Sequence, residues 1–246
     1  MGPREFYEEL PSTQERAIAL AREGAREGTI VVARRQTGGR GRLTRRWESP
    51  AGGLYCSVVV ARPQEHPGFL PLSVGAHLAS AFRTRYSVPV VLKWPNDLLV
   101  HQPGRPTRKL AGVLADEVPS PALGHAVVTG VGVNVRLVEG SLPEVLANRV
   151  AALEEFAVPA PRLEEVERTV ATEVVRAARS LSQPAGVIAA RDLCRRMLYG
   201  VGRRISVDGR PAGVLEDLGD EGELWVSTDT DRVSIWAGDV QVQEAP

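Results

Sequence analysis

The sequence predicts an α+β fold, a mixed sheet flanked by helices and followed by a small barrel of short strands. Three observations carry this expectation. Apolar residues recur at helical spacing over 69–86 and 162–181, the second with a stripe of Leu163, Val166, Val170, Val174 and Ala177. Four β-rich runs lie between these helices, at 90–94, 97–100, 109–118 and 125–135. After Tyr199 the chain changes to short strands separated by Asp208-Gly209 and Asp220-Glu221-Gly222.

The elements follow in order. Ser12 and Glu15 have the spacing of a capping box and Gly28 that of a stop, which predicts a helix over 12–28. A short strand is expected at 29–33, then a long glycine- and arginine-rich loop at 34–53, then a strand at 54–61. A turn at 104–107 separates two of the sheet strands. A shorter helix is expected over 185–197, which sets a domain boundary at Leu198 and divides the chain into 1–197 and 198–246. In the C-terminal part, strands are expected at 203–207, 212–218, 224–227 and 233–236. There is no internal repeat.

Composition narrows the function classes. With 43% apolar and 24% charged residues, the 246-residue chain reads as an ordinary globular protein. Thirty basic residues balance thirty acidic ones, which argues against bulk nucleic-acid binding. Two cysteines without zinc spacing suggest a reduced, cytoplasmic protein. The first ten residues have no apolar segment of a secretory signal, and no membrane span is expected. Four scattered histidines, with no G-x-x-x-x-G-K-[ST] and no H-E-x-x-H, disfavour a P-loop or a zinc centre.

The chemistry concentrates in residues 36–50, where Arg40, Arg42, Arg45 and Arg46 sit among Gly38, Gly39 and Gly41. Glycines let a backbone approach a ligand closely, and arginine forks match carboxylate and phosphate oxygens. The loop therefore suits two anions held side by side. A bare glycine-arginine run equally fits a solvated RNA-binding loop. Trp47 within it fits either a core position or support for a flat ring.

Four motifs in order weigh on this choice. The run G-R-G-R-x-x-R-x-W-x-S-P from Gly39 to Pro50 resembles the signature loop of biotin–protein ligases. Lys93-Trp94-Pro95-Asn96-Asp97, Lys109-Leu110-Ala111-Gly112 and Gly130-Val131-Gly132-Val133-Asn134 resemble that family's K-W-P-N-D, K-L-A-G and G-x-G-x-N. The resemblance implies a biotin/lipoate-ligase type catalytic domain followed by an SH3-like barrel. It implies an enzyme that forms biotinyl-adenylate from biotin and Mg-ATP, then biotinylates a lysine of a biotin carboxyl carrier domain of acetyl-CoA carboxylase or a related carboxylase.

The resemblance also assigns roles. Lys109 and Arg40 become the expected catalytic pair, with Arg40 along the biotin carboxylate and then the adenylate phosphate. Ser12, Thr13, Gln36, Gly39, Gly41, Gly112, Gly130 and Gly132 are expected to join them around biotin. Glycines at 130 and 132 leave a flat face for its tail. Arg42, Arg45, Trp47, Lys93, Asn96, Asp97 and Asn134 are expected at ATP, with Trp47 ordering the adenine pocket and Lys93 paired with Asp97 or phosphate. Asp97 is the expected magnesium ligand. Position 14 departs from the family, with Gln14 where S-T-N is usual.

Two rivals remain open: a lipoate–protein ligase, and an RNA- or peptide-binding module. The signature loop favours biotin over lipoate. The 5% aromatic content disfavours a base-stacking surface. Only eleven residues precede Ser12, too few for a helix-turn-helix domain, so no DNA-binding repressor role is expected. A homodimer is compatible with the sequence.

Overall fold

The computed structural model describes residues 2–138 and 140–243, and among these it has twelve strands and five α-helices. A seven-stranded sheet has the order β1-β2-β3-β7-β6-β5-β4. Its strands are β1 (Arg4–Leu10), β2 (Ile30–Gln36), β3 (Leu54–Ala61), β4 (Val90–Lys93), β5 (Asp97–Val100), β6 (Arg108–Ser120) and β7 (Gly124–Val133). β1 pairs parallel to β2 and the other pairings are antiparallel, so the sheet is mixed as expected.

Both faces of this sheet are covered, and the two-residue period of its strands shows how. Ile30, Val32, Val58 and Val60 join the main core, while the intervening Val31 and Val59 join a second cluster on the other face. Helix α1 (Thr13–Arg22) packs on that second face through Ala17 and Ala21. Helices α2 (Leu70–Tyr86), α4 (Leu163–Ser180) and α5 (Pro184–Met197) cover the main core. On α4 the expected stripe is present, with Val166, Val170, Val174 and Ala177 buried. A single-turn helix, α3 (Glu144–Ala147), lies between β7 and α4.

A second, antiparallel sheet has the order β11-β10-β9-β8-β12. It comprises β8 (Arg204–Val207), β9 (Arg210–Leu218), β10 (Leu224–Ser227), β11 (Arg232–Ile235) and β12 (Val240–Val242). Its Ile205, Leu215, Leu218 and Val226 belong to the same core cluster as the first sheet. The joint is polar as well. Buried Trp94 donates Nε1–H to Gly222 O at 2.8 Å, and Arg195 on α5 donates to Leu218 O at 2.9 Å.

Several expectations are corrected. Helix α1 ends at Arg22, not near Gly28, because Gly24 takes a left-handed φ of 95° and closes the turn. Gly24 N–H bonds Ala21 O and Ala25 N–H bonds Leu20 O, the pairing of a Schellman stop. The capping box is not formed: Ser12 is extended at the N-cap position and its hydroxyl makes no cap bond. β1 and β12 were not expected.

Candidate active site

The cleft opens where β2, β3, β6 and β7 meet the loop after β2 and the β4–β5 turn. The loop is a narrow hairpin. Trp47 N–H bonds Gly39 O at 3.0 Å, Gly41 N–H bonds Arg45 O at 2.7 Å, and Arg42–Thr44 form a 3-10 turn at the tip. Added side-chain bulk at Gly39 would strike Trp47 O, so the outgoing strand needs a glycine there.

One end of the cleft is a neutral hydrogen-bonding floor. Thr13 N–H donates to Gln36 Oε1 at 2.8 Å, and Gln36 Nε2 donates to Ser49 Oγ at 2.9 Å. Thr13 Oγ1 lies 3.0 Å from Ser57 Oγ, which donates to Gln14 Oε1 at 2.9 Å. Gln14 is fixed in turn, because its Nε2 donates to Val128 O at 2.8 Å and to Asp116 Oδ2 at 3.0 Å. Its Oε1 fills the space beside Gly130, 2.5 Å from where a Cβ would stand. Ser12 Oγ is buried on this floor without a partner. Buried hydroxyls are ordinarily bonded, so this one is an open place for a polar ligand atom.

The middle of the cleft is flat. The ring of Trp47 lies on Gly112 and Gly132, with Cζ3 2.9 Å and Cε2 2.6 Å from their absent Cβ positions. The tryptophan expected at the nucleotide thus rests on the face expected for the biotin tail. Its Nε1 is buried without a partner.

The other end is charged. Lys109 Nζ contacts Asp97 Oδ1 at 2.6 Å and lies 5.0 Å from the Trp47 ring centroid. A bulge aims this lysine. Leu98 faces Ala111 and Leu99 faces Lys109, which leaves Leu110 as one extra residue on β6. The slip brings Lys109 and Gly112 to one face, which a two-residue period forbids at a spacing of three. Arg42 is half-buried and its guanidinium is held below its ordinary pKa, first by desolvation, against the pull of Asp97 and Asp239. Its Nη1 lies 3.4 Å from Asn96 Oδ1. Arg45 Nη2 contacts Asp239 at 3.1 Å and Lys93 Nζ lies 3.8 Å from the same carboxylate. Lys93 therefore pairs with Asp239, and Asp97, expected as one of its partners, takes Lys109.

The cleft wall gathers Ser12, Thr13, Gln36, Arg40, Gly41, Arg42, Arg45, Trp47, Lys93, Asn96, Asp97, Lys109, Gly112, Gly130 and Gly132. Gly39 and Asn134 are not on it. Asn134 is buried, and its Nδ2 donates to Lys109 O at 3.2 Å, which supports the backbone behind that lysine. Polar wall residues to which sequence reasoning assigned no role include Gln14, Ser57 and Asp239. Among the described residues, no group of three His, Cys, Asp or Glu side chains is placed to hold a metal ion. No helix among them is long and apolar enough to cross a membrane.

Residues 8–134 match the model of the biotin/lipoate A/B protein ligase family, and the chain belongs to this family. Its biotin branch is represented by a biotin–[acetyl-CoA-carboxylase] ligase of Mycobacterium tuberculosis, 31% identical over 93% of this chain and 85% of that protein. The bifunctional ligase/repressor BirA of Bacillus subtilis is 30% identical over 62% of this chain. The match spans 46% of that protein, so the chain covers just under half of this longer relative. A biotin protein ligase of Aquifex aeolicus, solved with biotin and ATP, superposes over both whole chains with a TM-score of 0.80 at 26% identity.

Proposed function

We propose that this protein is a biotin–protein ligase that uses ATP to activate biotin as biotinyl-5'-AMP and then transfers biotin to a lysine of a biotin carboxyl carrier domain. The observation that carries this reading is the order of chemistry along the cleft: a neutral floor with the unpartnered Ser12 hydroxyl, a flat glycine face, then a cluster of cations. Biotin has the same order, with a ureido ring, an apolar tail and a carboxylate. Lipoate ends in an apolar dithiolane, which would leave the buried Ser12 hydroxyl unmatched, and unmatched buried polar groups are what a site rejects most strongly.

In the first step a biotin carboxylate oxygen attacks the α-phosphorus of ATP, forming the acyl–phosphate bond as pyrophosphate leaves. Two anions must meet, so the barrier is largely electrostatic. Arg40 and Lys109 are assigned to the reacting oxygens, with Asp97 holding the Lys109 ammonium in place. Arg42, Arg45 and Lys93 are assigned to the triphosphate, and Trp47, packed on Gly112 and Gly132, walls the middle of the cleft. In the second step the acceptor lysine amine attacks the acyl carbon and AMP leaves. The residues fit a magnesium ion that arrives on the triphosphate and takes one carboxylate, Asp97, because Mg²⁺ commonly keeps phosphate and water as its other ligands. Bound there, the ion would supply charge neutralisation.

This reading divides the chain at Leu198, takes the second sheet as an SH3-like barrel and sets the enzyme in the cytoplasm, which suits two buried, unpaired cysteines. The test is pyrophosphate release with Mg-ATP and either biotin or lipoate, with hydroxylamine to trap the adenylate. Turnover with biotin alone is expected. Turnover with lipoate alone, or with neither, would overturn the assignment.

A further inference from the structure

The second sheet reaches the cleft through one carboxylate that the chemistry above leaves unused. Asp239 immediately precedes β12, and its backbone is pinned. Its N–H donates to Asp208 Oδ1 at 2.8 Å, and its carbonyl accepts Asp208 N–H at 3.0 Å. A side chain at the preceding Gly238, where φ is 132°, would run into Val207. The Asp239 carboxylate is thus delivered by a built turn. It meets two cations from separate parts of the chain, Arg45 on the glycine-arginine loop at 3.1 Å and Lys93 at the end of β4 at 3.8 Å. Both are the groups assigned to the triphosphate. A carboxylate and a phosphate make the same kind of charge-assisted bond to a guanidinium, so they compete for it.

We propose that Asp239 is a positioning residue that stands in for the incoming phosphate on Arg45 and Lys93, tying the loop to the second sheet until nucleotide displaces it. The exchange hands the loop from carboxylate to phosphate. It makes the second sheet part of the nucleotide site. The proposal rests on the assignment of these cations to ATP. Arg45 is 61% exposed and Asp239 32%, so the tie is a single screened ion pair, and its loss should be felt as about a two- to fivefold effect.

The test uses Asp239→Asn, which keeps shape and backbone contacts and removes the charge. Mg-ATP affinity is measured by calorimetry, and loop opening by the rate of tryptic nicking after Arg40, Arg42 and Arg46, mapped by mass spectrometry. The variant should bind Mg-ATP about two- to fivefold more tightly and, without nucleotide, be nicked faster by a similar factor. Saturating Mg-ATP should bring both proteins to one nicking rate. Asp239→Glu should behave as wild type. Arg45→Gln cuts the same tie from the loop side and should raise nicking at Arg40 and Arg42, which keeps the test available if Asp239→Asn does not fold. Unchanged or weaker Mg-ATP binding by folded Asp239→Asn, or unchanged nicking in these variants, overturns the proposal. A wild-type protein that binds Mg-ATP but releases no pyrophosphate with biotin would instead sink the ligase reading, leaving the Asp239 result to be judged on binding and nicking.

Discussion

Replacing Gly132 by alanine adds one methyl group at the centre of the cleft. Gly132 pairs with Tyr55 on β3 and Gly112 on β6, so its backbone is held on both sides. The new Cβ would stand 2.6 Å from Trp47 Cε2, whereas ordinary contact begins near 3.4 Å, so the ring must retreat by about 0.8 Å. Trp47 anchors the return strand of the loop that carries Arg45 and Arg46, and displacement there moves the cations. Misplacing reacting groups by about 1 Å costs on the order of 100-fold in rate. Stability should change little, because removing a glycine from a strand gains roughly 0.5–1 kcal/mol, against an overpacking cost of about 1–3 kcal/mol that a loop-borne ring can relieve by moving. The assay is pyrophosphate release at saturating biotin and Mg-ATP, beside a thermal melt. Gly68→Ala, whose methyl meets nothing within 4 Å, serves as the control. A Gly132→Ala protein that melts normally and turns over at the wild-type rate would refute the claim that the Trp47–glycine contact sets the geometry of the site.

Lys109→Ala should lower adenylate formation by roughly 100- to 1000-fold, since it removes a charge acting mainly in the transition state, while transfer from preformed adenylate should suffer less. An unchanged rate of formation would contradict its role. Trp94→Phe removes the bond to Gly222 O between the two sheets and should cost about 1–3 kcal/mol in denaturant unfolding, because a buried carbonyl loses its donor. Burial pushes the Cys56 thiol far above its ordinary range and the Cys194 thiol up to about 12. The thiolate is the reactive form, so raised pKa values mean less of it at any working pH. Iodoacetamide should label neither cysteine in the folded protein at mildly alkaline pH and both after denaturation, and rapid labelling before unfolding would contradict their burial.

The sequence made legible what depends on local pattern. The α4 stripe and the strands carrying K-W-P-N-D, K-L-A-G and G-x-G-x-N have their periods written in adjacent residues, and all appear where expected. What escaped depended on competition or distance. β1 reads R-E-F-Y-E-E-L, an edge strand whose outward charges mask the alternation while discouraging edge-to-edge pairing. Gly28 looked like the stop for α1, but Gly24 came first. Ser12 looked like a cap, yet its hydroxyl lies on the cleft floor. The Leu110 bulge that sets Lys109 beside Gly112 has no signature in the strand's own composition. Asp239 lies far along the chain from the loop arginine it meets, and no local pattern could connect them. Gln14 looked like a departure from a motif, whereas the structure fixes it by three hydrogen bonds, to Ser57, Asp116 and Val128.

The most direct measurement of the central claim is the mass of an isolated biotin carboxyl carrier domain after incubation with this protein, Mg-ATP and an equimolar mixture of biotin and lipoate. The account predicts one biotinyl addition, on a single lysine, abolished when that lysine is replaced by arginine. A lipoyl addition, or an acceptor that keeps its original mass beside a folded and ATP-binding protein, would contradict it.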